Sequence, residues 1–117
     1  MAEPTVFERI VAREIPADIL YEDDRIIAFT DVAPKAPVHL LVVPKTAAYR
    51  NVGELAAADP QLLADIVTVA QSLATERTGG DHRLIFNTGE DAGQTVFHVH
   101  AHVLGTGLRE GSLGSEL

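Results

Sequence analysis

Residues 98–104 read His-Val-His-Ala-His-Val-Leu, HVHAHVL, and this stretch holds three of the five histidines of the chain. Successive side chains of a β-strand point to opposite faces of a sheet. The alternation therefore predicts a strand over residues 96–104 with a histidine face and an apolar face. The histidine face presents His98, His100 and His102, and the apolar face is expected to pack under a helix.

Imidazoles two residues apart on a strand are separated by about 6.6 Å, which suits a row of groups that contact different parts of one ligand. An imidazole titrates near neutral pH and serves as nucleophile, acid, base or metal ligand. From the residues alone, four interpretations stay open: surface histidines without chemistry, a metal site, nucleophilic catalysis on phosphorus and passive phosphate binding. A closed zinc site needs a fourth ligand, and the chain has no cysteine and no HExxH motif, although His39 could contribute.

A Gly-rich loop, NTGEDAGQT at residues 87–95, leads directly into the histidine strand. Gly89 and Gly93 let the backbone approach a ligand closely, and the backbone N–H groups of such a turn can hold an anion. Gln94 and Thr95 add an amide and a hydroxyl as donors. The glycines alone are equally typical of a hairpin connection, so it is the position before the histidines that favours a phosphate site.

The length and composition indicate one globular domain over residues 1–117. The chain is 46% hydrophobic and 22% charged, and its formal net charge of −8 with no Lys/Arg cluster disfavours binding to a nucleic acid. The absence of cysteine excludes disulfides and thiolate metal sites. No signal peptide and no apolar run of membrane-spanning length is apparent, so we expect a soluble cytoplasmic protein that does not enter a membrane.

The remaining patterns predict an α+β fold. The capping box TVFE predicts a short helix over residues 5–13, and an Asp-Pro start followed by a period near 3.6 predicts the main helix over residues 60–77. Antiparallel strands are predicted over residues 18–22, 25–30, 38–43, 83–88 and 96–104.

HVHAHVL resembles the histidine-triad motif His-φ-His-φ-His-φ-φ, in which φ is apolar. Two longer segments, residues 13–45 and 87–105, resemble the nucleotide-binding (HINT-type) branch of that family. The resemblance implies a single HIT domain with an antiparallel sheet of about five strands, one main helix and a short N-terminal helix. It also implies that two subunits pair into a homodimer with a continuous sheet.

The resemblance further implies an activity, the hydrolysis of nucleoside 5′-phosphoramidates and aminoacyl-adenylates through a nucleotidyl-histidine intermediate. Its ligands would be a purine nucleoside monophosphate and its phosphoramidates, with no metal and no other cofactor. Two alternatives stay open: a dinucleoside polyphosphate hydrolase of the same superfamily, and a nucleotide-binding module without catalysis.

Site residues follow from the same resemblance. His100 would be the nucleophile, His102 would contact the phosphate, His98 would support the strand and the proton network, and His39 would reach toward the triad. The phosphate and the leaving group would be held by Asn87, Gly93, Gln94 and Thr95. The nucleoside pocket would be formed by Phe7, Ile10, Phe29, Asp31 and Val32.

The residues themselves allow simpler roles for some of these positions. Asp31, which would accept the ribose hydroxyls, is also a common turn former, and Phe29 and His39 are compatible with core positions. The chain departs from the family pattern at Ala47, where a histidine often follows the Pro-Lys pair. Its tail, residues 105–117, lacks the usual aromatic and Pro-rich sequence, so the leaving-group preference is not implied.

Overall fold

The structure is a computed structural model that describes residues 3–109. The predicted C-terminal tail therefore lies largely outside the described residues. Among residues 3–109, no helix is long and apolar enough to cross a membrane. The elements in chain order are α1 (Val6–Val11), β1 (Ile19–Glu22), β2 (Ile26–Thr30), β3 (Val38–Pro44), α2 (Val52–Ala58), α3 (Pro60–Thr78), β4 (Arg83–Ile85) and β5 (Ala101–Gly105).

The five strands form one antiparallel sheet in the order β1-β2-β3-β5-β4. This confirms the predicted α+β class, the strand number, the main helix and the short N-terminal helix. The last strand lies between β3 and β4, so its residues have a hydrogen-bonded neighbour on both sides. The register places His39 opposite Leu104 and Leu41 opposite His102.

Apolar residues cover both faces of the sheet. On one face, Val99, Ala101 and Val103 belong to the cluster formed with the buried side of α3, as the alternation predicted. On the other face, a smaller cluster joins α1 to β2 and β3, and its buried members are Phe7, Ile10, Ile27, Phe29, Leu41 and Val43. The histidine side of the last strand faces this smaller cluster.

Local sequence explains where α1 and α3 begin and end. The Thr5 hydroxyl accepts the Glu8 N–H at 3.1 Å, and the Glu8 carboxylate accepts the Thr5 N–H at 2.8 Å, which completes the capping box. Arg13 adopts a positive φ of 64°, so α1 ends at Val11, before the predicted end. Gly79, with φ of 72°, caps α3.

Besides the shorter α1, three other elements differ from the prediction in length or presence. The helix α2 had no predicted counterpart, because only Leu55 of its seven residues is buried and the periodicity is correspondingly weak. The fourth strand ends at Ile85, three residues before the predicted end. The last strand begins at Ala101 instead of residue 96, because non-ladder hydrogen bonds hold the preceding residues: Val99 N–H donates to the Tyr49 carbonyl.

Candidate active site

A cavity of about 390 Å³ lies between α1, the loop after β2 and the residues that lead into β5. Eight of the thirteen residues predicted for the site line it. Its apolar walls include Phe7, Ile10, Phe29 and Val32, and its polar lining consists of Asp31, Thr95, His100 and His102.

Several lining residues had no predicted role. Ile15, Pro16 and Ala17 follow α1 and close one wall, and Leu41 contributes from β3. Leu41 pairs with Phe29 across β2 and β3, so the register of those two strands would have pointed to it. The wall after α1 has no periodic pattern of its own, because it is a connecting segment.

The hydrogen bond of His100 determines which of its nitrogens is free. Its Nδ1 lies 2.8 Å from the carbonyl oxygen of His98, and a carbonyl only accepts, so Nδ1 carries the proton. Burial, the largest effect, lowers the pKa of His100, so the ring is neutral at neutral pH. Nε2 of His100 therefore keeps its lone pair and is the ring nitrogen free to act as a nucleophile.

His102 and His39 form a relay with a defined direction. The Lys35 N–H donates to His39 Nδ1 at 2.9 Å, so the proton of His39 is on Nε2. That Nε2–H donates to His102 Nδ1 at 3.0 Å, which leaves the proton of His102 on its own Nε2. Burial, followed by the neighbouring His100 and His39 rings, lowers the pKa of His102 to about 4. His102 is therefore a neutral ring whose Nε2–H can donate, beside the neutral ring of His100.

His98 lies behind the other two histidines and is fully buried. Its Nε2–H donates to the Pro44 carbonyl at 2.7 Å, and its Nδ1 accepts from the Thr5 hydroxyl at 2.7 Å. Phe7 packs edge-on against the rings of His98 and His100, with centroid separations of 5.4 and 4.9 Å. His98 does not line the cavity, so its position matches a supporting role.

The Gly-rich loop contributes one side chain to the cavity, Thr95. Gln94 is 3% exposed, and its amide donates to the carbonyls of Arg50 and Val96 at 2.7 and 3.0 Å. Its oxygen accepts the Gly89 N–H at 2.9 Å. Gln94 thus fixes the loop from within, while Asn87 and Gly93 also lie outside the cavity lining.

Glycine is required at Gly89 and Gly93 for conformational reasons. Their φ angles are 89° and 93°, and between them runs a single 3₁₀ turn closed by the Gly93 N–H donating to the Glu90 carbonyl at 2.9 Å. Glu90 and Asp91, the two acidic residues of this turn, are exposed.

Asp31, His39 and His102 each offer a ligand atom within 4.8 Å of the others, which is the spacing of a cation site. Asp31 Oδ2 lies 3.5 Å from His39 Nε2. That nitrogen carries a proton, because His39 Nδ1 already accepts from the Lys35 N–H, and a protonated nitrogen has no lone pair for a cation. The hydrogen bonds of this trio favour a proton relay over metal ligation.

The sequence matches the family model described as "Scavenger mRNA decapping enzyme C-term binding" over residues 4–117. A purine nucleoside phosphoramidase of Escherichia coli is 42% identical over 107 residues, which cover 90% of this chain and 89% of that protein. An uncharacterized HIT-like protein of Synechocystis is 48% identical over 109 residues, covering 90% of this chain and 92% of that protein.

Solved structures agree with the sequence relatives. A HIT family hydrolase from Clostridium thermocellum is 44% identical with a TM-score of 0.83, over 91% of this chain and 93% of that one. A histidine triad protein from Clostridium difficile is 37% identical with a TM-score of 0.83, over 93% and 97% of the two chains. With the histidine row, the cavity and the sheet order, these matches establish that the chain belongs to the histidine-triad (HIT) family.

Proposed function

We propose that this protein hydrolyses nucleoside 5′-phosphoramidates, releasing an amine and a nucleoside 5′-monophosphate through an adduct on His100. The observation that carries the proposal is the hydrogen bond from His100 Nδ1 to the His98 carbonyl, which leaves a neutral ring with its Nε2 lone pair in a cavity. The name of the Escherichia coli relative, a purine nucleoside phosphoramidase, supports this choice of reaction.

The cavity suits the nucleoside half of such a substrate. Its volume of about 390 Å³ falls within the usual range for small-molecule sites, and its walls are mainly apolar. The base would lie between Phe7, Ile10 and Phe29. Asp31 is only partly exposed, and its Oδ1 accepts the Ala33 N–H at 2.8 Å, which orients the carboxylate and leaves acceptor capacity for ribose hydroxyls.

In the first step, His100 Nε2 attacks phosphorus, the new N–P bond forms as the P–N bond to the amine breaks, and the departing nitrogen takes up a proton from water. The adduct bears phosphorus on Nε2 and a proton on Nδ1, so the ring becomes a cation. The His98 carbonyl oxygen, 2.8 Å from Nδ1, stabilises that charge. The Nε2–H of His102 would donate to a non-bridging oxygen, where negative charge accumulates.

In the second step, water attacks phosphorus, the Nε2–P bond breaks and His100 returns to its neutral form. The water supplies a hydroxyl to the nucleotide and a proton to solvent. Two displacements, each with a good nucleophile or a good leaving group, replace one difficult displacement. The Thr95 hydroxyl would contact the phosphate or the leaving group, and Gly93 and Asn87 would contribute at the loop edge, with Gln94 holding the loop.

The direct test is turnover of adenosine 5′-phosphoramidate by the wild-type protein and by His100→Ala. We expect release of AMP by the wild type, a loss of at least about 10²-fold in the variant and an adenylated His100 after quenching in alkaline denaturant, which preserves a phosphorus–nitrogen bond. A Thr68→Ala variant on the exposed side of α3 serves as a control for substitution itself. Equal turnover by wild type and His100→Ala, or an adduct on another residue, would contradict the proposal.

Two finer features belong to the same proposal. The protein would prefer purine bases, and two copies would form a homodimer. A panel of adenosine, guanosine, cytidine and uridine phosphoramidates tests the first feature, and light scattering at micromolar concentration tests the second. Including a dinucleoside polyphosphate in the panel separates the proposed reaction from the alternative hydrolase activity, and assays with added EDTA test whether a metal is required.

A further inference from the structure

The histidine row is tied to the N-terminal helix by one side chain, Thr5. Its hydroxyl lies 2.7 Å from His98 Nδ1, although 93 residues separate the two positions in the chain. The same oxygen accepts the Glu8 N–H at 3.1 Å as the N-cap of α1. Thr5 therefore takes part in two interactions, one that stabilises a helix and one that reaches the triad.

The direction of the Thr5–His98 hydrogen bond follows from the other partners of His98. His98 Nε2 faces the Pro44 carbonyl at 2.7 Å, so the proton of the neutral ring is on Nε2. Burial lowers the pKa of His98, which keeps the ring neutral. His98 Nδ1 must then accept, and the hydroxyl of Thr5 donates its single proton to it.

The backbone of His98 is held by the ring's bonds to Thr5 and Pro44 and not by the hydrogen bonds of the sheet. The strand β5 begins at Ala101, so the carbonyl of His98 lies outside the ladder. Val99 N–H is held by the Tyr49 carbonyl, and the ring of His98 is held at both nitrogens by Pro44 and Thr5. The carbonyl oxygen of His98 is the group that accepts the His100 Nδ1 proton. A displacement of the His98 carbonyl therefore alters the hydrogen bond that holds the His100 ring.

The geometry points to Thr5 as a positioning residue: by donating to His98 Nδ1 it fixes the His98 carbonyl and, through it, the reactive tautomer of His100. The expected change in kcat rests on the proposed function. The expected change in the His100 tautomer does not depend on any substrate. Thr5 is not itself a lining residue of the cavity. Loss of the bond to His98 is expected to lower kcat, whereas loss of the cap of α1, the helix that carries Phe7 and Ile10, would act on the nucleoside walls.

Three substitutions separate the two roles of Thr5. Thr5→Ser keeps both the cap and the donor. Thr5→Asp keeps an N-cap acceptor for the Glu8 N–H but offers a carboxylate, which only accepts, to His98 Nδ1. Thr5→Val removes both. The control is Asp59→Ala at the N-cap of α3. The Asp59 side chain accepts the Leu62 N–H at 3.1 Å and pairs with Arg25, and neither contact involves the triad.

We expect kcat for adenosine 5′-phosphoramidate to fall about 10- to 100-fold in Thr5→Asp, with KM changed less than about threefold. Thr5→Val should lose kcat to a similar extent and also raise KM, because it removes the cap of the helix that carries Phe7 and Ile10. Thr5→Ser and Asp59→Ala should stay within about threefold of the wild-type kcat, although Asp59→Ala lowers the melting temperature. A wild-type kcat in folded Thr5→Asp would overturn the inference, since that variant retains the cap and lacks the donor. It would also be overturned if Thr5→Ser lost as much rate as Thr5→Asp.

A second measurement does not depend on the substrate. Two-dimensional ¹⁵N spectra of the histidine rings report which nitrogen carries the proton, and in the wild type we expect Nε2–H for His98 and Nδ1–H for His100. The Nδ1–H fraction of His100 should fall in Thr5→Asp and remain in Thr5→Ser. An unchanged His100 tautomer in Thr5→Asp refutes the inference. Failure of the wild type to hydrolyse any phosphoramidate refutes the proposed function instead, and the spectra still decide the role of Thr5.

Discussion

Gln94 allows a quantitative test of how the Gly-rich loop is held. Its side chain is 3% exposed and makes three hydrogen bonds, two from its amide to the carbonyls of Arg50 and Val96 and one from the Gly89 N–H to its oxygen. A hydrogen bond contributes a net of about 1 kcal/mol, and a buried partner left unpaired costs more. Gln94→Ala should therefore lower the free energy of unfolding by about 2 to 4 kcal/mol.

The chain offers a matched control for this substitution. Gln61 on α3 makes one exposed hydrogen bond, from its amide to Asp65 at 2.9 Å. Gln61→Ala removes the same chemical group and should change the unfolding free energy by less than about 0.5 kcal/mol. Urea titration of both variants by circular dichroism gives the two values, with equal m-values required for the comparison. A loss below about 1 kcal/mol in Gln94→Ala would refute the view that this amide holds the loop.

Three further results are expected. Because burial lowers the pKa of His100, the acid limb of kcat/KM should lie below pH ~6.5, and a limb above that value would contradict a neutral buried nucleophile. His102 takes up a proton near pH ~6.5 in the unfolded chain, but only near a pKa of about 4 in the folded chain. The free energy of unfolding should therefore fall as the pH drops between these values, which urea titrations at several pH values would show. A Cβ at Gly105 would overlap Thr78 Cγ2, so Gly105→Ala should cost about 1 to 3 kcal/mol, and adding Thr78→Ser, which removes that methyl group, should recover part of the loss in the same assay.

Patterns with a local cause were predictable from the sequence. The Thr5 capping box, the Asp59-Pro60 start of the main helix and the alternation of Val99 with its apolar neighbours each depend on residues a few positions apart. Each pattern depends on residues that are close together in the sequence, and the structure has the corresponding feature at the predicted position. The resemblance to the family extended this to the cavity, since it named Phe7 and Asp31, which are distant in sequence from the histidines.

Features with a distant cause were not predictable in the same way. The late start of β5 accompanies two distant bonds of the preceding residues, from the Val99 N–H to the Tyr49 carbonyl and from the His98 ring to the Pro44 carbonyl. The role of Gln94 depends on the Arg50 carbonyl, and that bond leaves no periodic trace in the sequence. The amide N–H groups of Gln94 were predicted to donate to a ligand, whereas in the structure they donate to main-chain carbonyls.

The protons of His39, His98 and His100 are each positioned by a main-chain group: an N–H at Lys35, and carbonyls at Pro44 and His98. The protonation of these three rings is consequently set mainly by the path of the chain, together with the Thr5 hydroxyl that donates to His98 Nδ1. A designer who wished to transplant this chemistry into another scaffold would have to copy three stretches of peptide backbone along with the imidazoles. Grafting the histidines alone would leave their tautomers undetermined.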